Sequence, residues 1–110
     1  MNTIIYVLDD EPDVLEIINQ SLEVLLHNVE IKTFQTPDDL LRDPHLETVD
    51  LFIIDISLRR DQGNGMAHEF DGRFVPDELP EKCKLASFLF ISGVVTDLDF
   101  TFLPTGIVYD

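Results

Sequence analysis

Ile4-Ile5-Tyr6-Val7-Leu8-Asp9-Asp10-Glu11 and Leu51-Phe52-Ile53-Ile54-Asp55 decide the fold. Each is a short apolar run cut off by carboxylates. Neither run has a polar side, and each is too short for a helix with one buried face. Both therefore read as strands covered on two faces, as in the middle of a parallel sheet. The residues after the first run support this. Pro12 suits a first helical turn. Beyond it Val14, Ile18, Leu22 and Leu25 recur at helical spacing, with Leu15 and Leu26 beside them and Glu16, Gln20, Glu23 and His27 opposite. This predicts an amphipathic helix of roughly four turns.

Val29 to Phe34 alternates and predicts a second strand. Thr36-Pro37-Asp38-Asp39 combines a hydroxyl cap, a proline and an acid at the third helical position. It predicts a helix through Leu40, Leu41 and Arg42 that stops before Pro44. Ala86 to Ile91 is a fourth strand, ended by Ser92-Gly93, and Gly106 to Tyr109 opens a fifth. Between Ser57 and Lys84 the pattern is weaker. Gly63 and Gly65 mark a loop, and Met66 to Phe70 suggests a helix start that Gly72, Pro76 and Pro80 keep short. Asp97 to Leu103 fits either helix or strand until Pro104. Strands alternating with helical segments imply a parallel sheet with right-handed crossovers.

The chain has 110 residues, 45% hydrophobic and 26% charged, which suits one globular domain. Seven Lys and Arg against 22 Asp and Glu give a formal charge of −15. Such a surface repels phosphate backbones and anionic lipids, so direct nucleic-acid or membrane binding is not expected. Cys83 is the one cysteine, which excludes an internal disulfide and fits a reducing compartment. Flanked by Lys82 and Lys84, it reads as an incidental surface thiol. His45 and His68 read as solvated, and no zinc site is expected from three scattered histidines. The N-terminus lacks a basic, signal-like region and no apolar run is long enough to span a bilayer, so a soluble, cytoplasmic protein is expected.

In parallel sheets the working site lies beyond the carboxyl ends of the strands. Three ends carry polar groups here: Asp9-Asp10, Asp55 and Ser92. Converging carboxylates raise one another's proton affinity, unless one keeps its proton or a cation joins them. Mg2+ takes oxygen ligands and retains water, so a shallow acidic cup suits it. An aspartate is also a competent nucleophile toward phosphorus.

Leu8-Asp9-Asp10-Glu11, Asp55 and Ser92-Gly93, each at a strand end and in this order, resemble the receiver domain of bacterial two-component response regulators. The resemblance spans nearly all of residues 1–110. It implies a flavodoxin-like three-layer α/β sandwich with a five-stranded parallel sheet in the order 2-1-3-4-5. It implies that Asp55 is the phosphoacceptor. Asp9, Asp10, Asp55 and the backbone carbonyl of Ser57 would be the Mg2+ ligands, with Asp10 direct and Asp9 largely through water. The Ser92 hydroxyl would be the switch, with the Gly93 N–H as a second phosphoryl donor. The implied partner is a histidine kinase or phosphotransfer protein, and the chain is a signalling module rather than an enzyme.

Three departures accompany the resemblance. Leu58 is followed by Arg59 where the family has proline. The span from Asp55 to Ser92 is stretched. The family's lysine is absent, since Lys32, Lys82 and Lys84 are the only lysines and none follows the fourth strand. By family spacing that lysine and the last helix fall beyond Asp110, so the domain reads as C-terminally incomplete. A missing helix would bare an apolar face of about 400 Å2 or more, which predicts homo-oligomerisation or cover by a partner. The alternatives are a degenerate receiver that binds proteins without phosphate, and a Mg2+-dependent phosphohydrolase. The latter usually places a second aspartate where Ser57 stands.

Overall fold

The computed structural model describes residues 2–61 and 67–91. Strand β1 (Thr3–Leu8) leads into helix α1 (Pro12–Leu25), strand β2 (Val29–Phe34) and a short helix α2 (Pro37–Leu41). A 3-10 turn at Leu46–Thr48 precedes β3 (Leu51–Asp55). A hairpin of β4 (Ser57–Asp61) and β5 (Ala67–Asp71) comes next, then a 3-10 turn at Gly72–Phe74 and a single-turn helix α3 (Val75–Glu78). A last 3-10 turn at Glu81–Leu85 precedes β6 (Ser87–Ile91).

The main sheet is parallel, in the order β2-β1-β3-β6, while β4 and β5 form a separate antiparallel pair. Counting the main-sheet strands alone, the order is the expected 2-1-3-4. The expected fifth strand at Gly106 to Tyr109, the Asp97 to Leu103 segment and the loop glycines Gly63 and Gly65 lie outside the described residues. Among the described residues no helix is long and apolar enough to cross a membrane.

The register sorts side chains onto two faces. Tyr6 stands beside Phe52, and Phe52 beside Phe88, so these three share a face. Their rings meet there, Tyr6 edge-on to Phe52 at 6.1 Å and Phe52 stacked on Phe88 at 5.2 Å. Leu8, Phe34 and Ile54 extend this face, covered by Leu40, Leu46, Val49, Val75, Leu79 and Cys83. Ile5, Val7, Leu51 and Ile53 point the other way, against Val14, Leu15, Ile18 and Leu22 of α1. Each such fully buried aliphatic side chain contributes about 1.5–3 kcal/mol. The result is the expected three-layer sandwich.

Local signals set the helix ends. Thr36 Oγ1 accepts from the Asp39 N–H at 3.1 Å, and Pro37 opens α2. After α1, Asn28 takes a left-handed conformation (φ 56°), and its carbonyl accepts from Thr3 N–H at 2.8 Å. A short polar side chain tolerates that backbone, which turns the chain so that β2 runs beside β1.

Three expectations are corrected. Leu25 belongs to the periodic stripe but is 42% exposed, while Leu26 is buried. The helix ends at Leu25, and the extended Leu26 folds back under the sheet. In the segment from Met66 to Phe70, where a helix start is expected, the described residues from Ala67 onward are not helical. Ala67–Asp71 is strand β5, because pairing with Ser57–Asp61 outweighs a neutral local pattern. Cys83 is buried in the core, not on the surface, and burial, reinforced by Glu47, pushes its thiol pKa up.

Candidate functional site

Asp9 and Asp10 come directly after β1, and Asp55 closes β3, the neighbouring strand. Leu8 pairs with Ile54, so the two strands end level. That register brings the three carboxylates together: one oxygen from each lies within 4.8 Å of the others. Asp9 and Asp55 are buried and Asp10 is half-buried. Sequence separation gave no guarantee of this meeting; the parallel pairing of β1 with β3 produces it.

The hydrogen bonds at Asp9 are lopsided. Oδ1 accepts the Glu11 N–H at 2.9 Å, just ahead of α1. Oδ2 is buried with no hydrogen-bond partner. Burial raises the Asp9 pKa from 3.8 to about 7. The Glu11 N–H bond opposes that rise, and the charges of Asp55, Asp10 and Glu11 add to it. A buried carboxylate oxygen with no donor is costly. A proton or a divalent cation would remove that cost, and an all-oxygen donor set of carboxylates fits Mg2+.

The hairpin begins immediately after the site. Ile56 N–H donates to the Ile91 carbonyl at 2.8 Å, tying the end of β3 to the end of β6. Gly72 N–H donates to the Ile56 carbonyl at 2.8 Å. Ser57 then pairs with Asp71 at the foot of the β4–β5 hairpin. Gly72 is buried against the backbone of Asp55 itself. From sequence, Gly72 stands out only as a helix breaker. A glycine beside a strand can mark close backbone approach, but its partner is not legible from one chain.

Ser92 and Gly93, the expected switch hydroxyl and backbone donor, lie outside the described residues. Grooves of about 420 Å3 over Tyr6 and Lys32 and about 500 Å3 between α1 and α2 do not include the three aspartates. An ion site needs convergent oxygens rather than a large cavity, so the carboxylate geometry is the better guide here.

A second buried carboxylate sits away from the cup. Asp43 Oδ1 accepts from Tyr6 Oη at 2.6 Å and from His45 N–H at 2.8 Å, and Oδ2 pairs with Lys32 Nζ. Burial pushes the Asp43 pKa up, but the bonds from Lys32, Tyr6 and His45 outweigh it and hold the carboxyl below its ordinary value. Burial, together with this contact, raises the Tyr6 pKa.

No protein-family model matches the chain, and no curated protein is significantly similar in sequence. Solved structures do match. The response regulator DrrB of Thermotoga maritima, an OmpR/PhoB homologue, superposes with a TM-score of 0.63 at 21% identity, covering 88% of this chain and 38% of its own. The BeF3-activated DrrB receiver domain gives 0.62 at 21% identity, over 88% of this chain and 70% of that one. The Salmonella typhimurium response regulator RcsB gives 0.61 at 23% identity, over 82% of this chain and 41% of that one. The chain thus spans about two-fifths of the longer regulators it matches. What it shares with all of them is the fold, the flavodoxin-like α/β fold of response regulator receiver domains.

Proposed function

We propose that the chain is a phosphoacceptor module of a two-component phosphorelay, phosphorylated on Asp55 with Mg2+ held by Asp9, Asp10, Asp55 and the Ser57 carbonyl. One observation carries the reading: three carboxylates converge at the sheet's carboxyl end, and Asp9 Oδ2 is buried without a donor. Bound Mg2+ would neutralise the incoming phosphoryl oxygens.

The chain's own residues supply the rest. The end of β3 holds the Asp55 carboxylate where the sheet opens, as an in-line attack requires. A carboxylate oxygen of Asp55 forms the new O–P bond while the P–N bond of a donor phosphohistidine breaks. The imidazole keeps that electron pair and takes up a proton. Asp9 and Asp10 flank the acceptor, and they would help hold a cation whose charge would offset the repulsion among the three carboxylates. Ser92 and Gly93 would carry the new charge outward, ordering a surface that a partner reads. The donor would be a histidine kinase or phosphotransfer protein in the cytoplasm.

Incubation with acetyl phosphate and Mg2+, followed by intact mass, tests this. The expected result is an adduct of about 80 Da, one phosphoryl group, that is lost in Asp55→Asn and on adding EDTA. No adduct on the wild-type chain would replace this reading with a phosphate-independent interaction domain. Continuous release of phosphate from a small ester would replace it with a phosphohydrolase.

A further inference from the structure

We infer that Gly72 is a positioning residue for the phosphoacceptor, holding the end of β3 in register with the Asp9-Asp10 pair. The inference rests on the reading of Asp55 given above and extends it to a residue at the far base of the hairpin.

Gly72 is the first residue after β5, where the chain returns from the hairpin. It is buried, and it packs on backbone rather than on side-chain ends. A Cβ built there would overlap the Asp55 carbonyl oxygen outright. It would also lie 2.8 Å from Ile54 Cγ2 and 2.9 Å from the Asp55 carbonyl carbon. Real side chains do not tolerate such distances, and none of these atoms belongs to a flexible tip. Either the hairpin base or the end of β3 has to move. The same residue donates its N–H to the Ile56 carbonyl, and Ile56 in turn donates to Ile91. The peptide between Asp55 and Ser57 is thus clamped from both sides, by β6 and by Gly72.

The consequence is specific to the site. Displacing the end of β3 carries the Asp55 carboxylate and the Ser57 carbonyl together. Asp9 and Asp10 stay in place, because they hang from β1 and the start of α1. A hairpin inserted right after the acceptor would otherwise be free to splay the strand end. A residue without a side chain lets it close against the Asp55 backbone instead.

The test compares Gly72→Ala with Val75→Ala, a core truncation three residues on in the same segment. Amide NMR spectra without metal give the first readout. The expected result is displacement of the Asp55, Ile56 and Ser57 resonances in Gly72→Ala only. Mg2+ titration of both variants gives the second. Gly72→Ala is expected to bind at least about tenfold more weakly than wild type, and Val75→Ala within about twofold, at a temperature where both are folded. Unmoved resonances in Gly72→Ala, or equal loss of Mg2+ affinity in both variants, would overturn the inference. A wild-type chain that binds no Mg2+ would count against the proposed function instead, while the metal-free spectra would still decide the role of Gly72.

Discussion

Asp9 and Asp43 are both buried aspartates, and they are held in opposite ways. Asp43 is surrounded by donors: a phenol, an ammonium and a backbone N–H. Asp9 has one backbone donor and three acidic neighbours, with its second oxygen bare. Burial acts on both in the same direction, yet their pKa values depart in opposite directions. The lesson is that burial sets the cost of a charge, and the neighbours decide whether it is met within the chain or left for something outside it. Asp43 is a structural anchor, fastening the segment after α2 across the sheet. Asp9 is left unsatisfied where a ligand can satisfy it.

The largest effect that would break this contrast is its pH dependence. Asp9 has a folded pKa of about 7 against an ordinary 3.8. Its favourable contribution is complete below pH 3.8 and is lost as pH rises through about 7. At about 1.4 kcal/mol per pH unit, the loss by pH 8 is on the order of 4 kcal/mol. Urea midpoints of the metal-free protein are expected to fall between about pH 5 and 8. Asp9→Asn should flatten that fall, and Mg2+ should reverse it. A wild-type midpoint that rises across this range would mean that burial and the acidic neighbours do not raise the Asp9 pKa.

Next in size is Asp43→Ala. It strips Tyr6 Oη and Lys32 Nζ of their shared acceptor and leaves the phenol buried. Unfolding in urea is expected to show a loss of about 3 kcal/mol, with Mg2+ affinity unchanged. The sign of its own pH dependence is opposite to that of Asp9. The lowered Asp43 pKa gives stability that is present above its ordinary value and lost as pH falls through the folded one. Lys32→Met should cost least, about 1 kcal/mol or below, because the lysine side chain is 55% exposed and solvent screens the pair. If Lys32→Met cost as much as Asp43→Ala, the ion pair rather than the Tyr6 and His45 bonds would be the anchor.

The regular half of the molecule was legible because its rules are local. The apolar runs ending at Leu8 and Ile54, the Thr36 cap and the α1 stripe each carry their signal within a few residues. Leu25 and Leu26 show where that reading ends: periodicity places both near the stripe, and only the point where the helix stops decides which is buried. The hairpin is not legible in the sequence for another reason. Ala67–Asp71 has no strong strand pattern, and it becomes a strand by pairing with Ser57–Asp61. The Asp9, Asp10 and Asp55 triad was readable as three acids at strand ends, whereas Gly72 was not readable as part of the site at all. Its role depends on which backbone it touches.

What the sequence by itself determined is the alternation of strands and helices, the parallel sheet and the choice of carboxylates at its edge. Apolar spacing, caps and abrupt acidic stops are properties of neighbouring residues in the chain. What only the tertiary structure decided is that Leu8 and Ile54 end level, that Asp9 keeps a bare oxygen while Asp43 does not, and that the hairpin closes on Asp55 through a glycine. These depend on strand register and on contacts between residues far apart in the chain, and no local pattern encodes either.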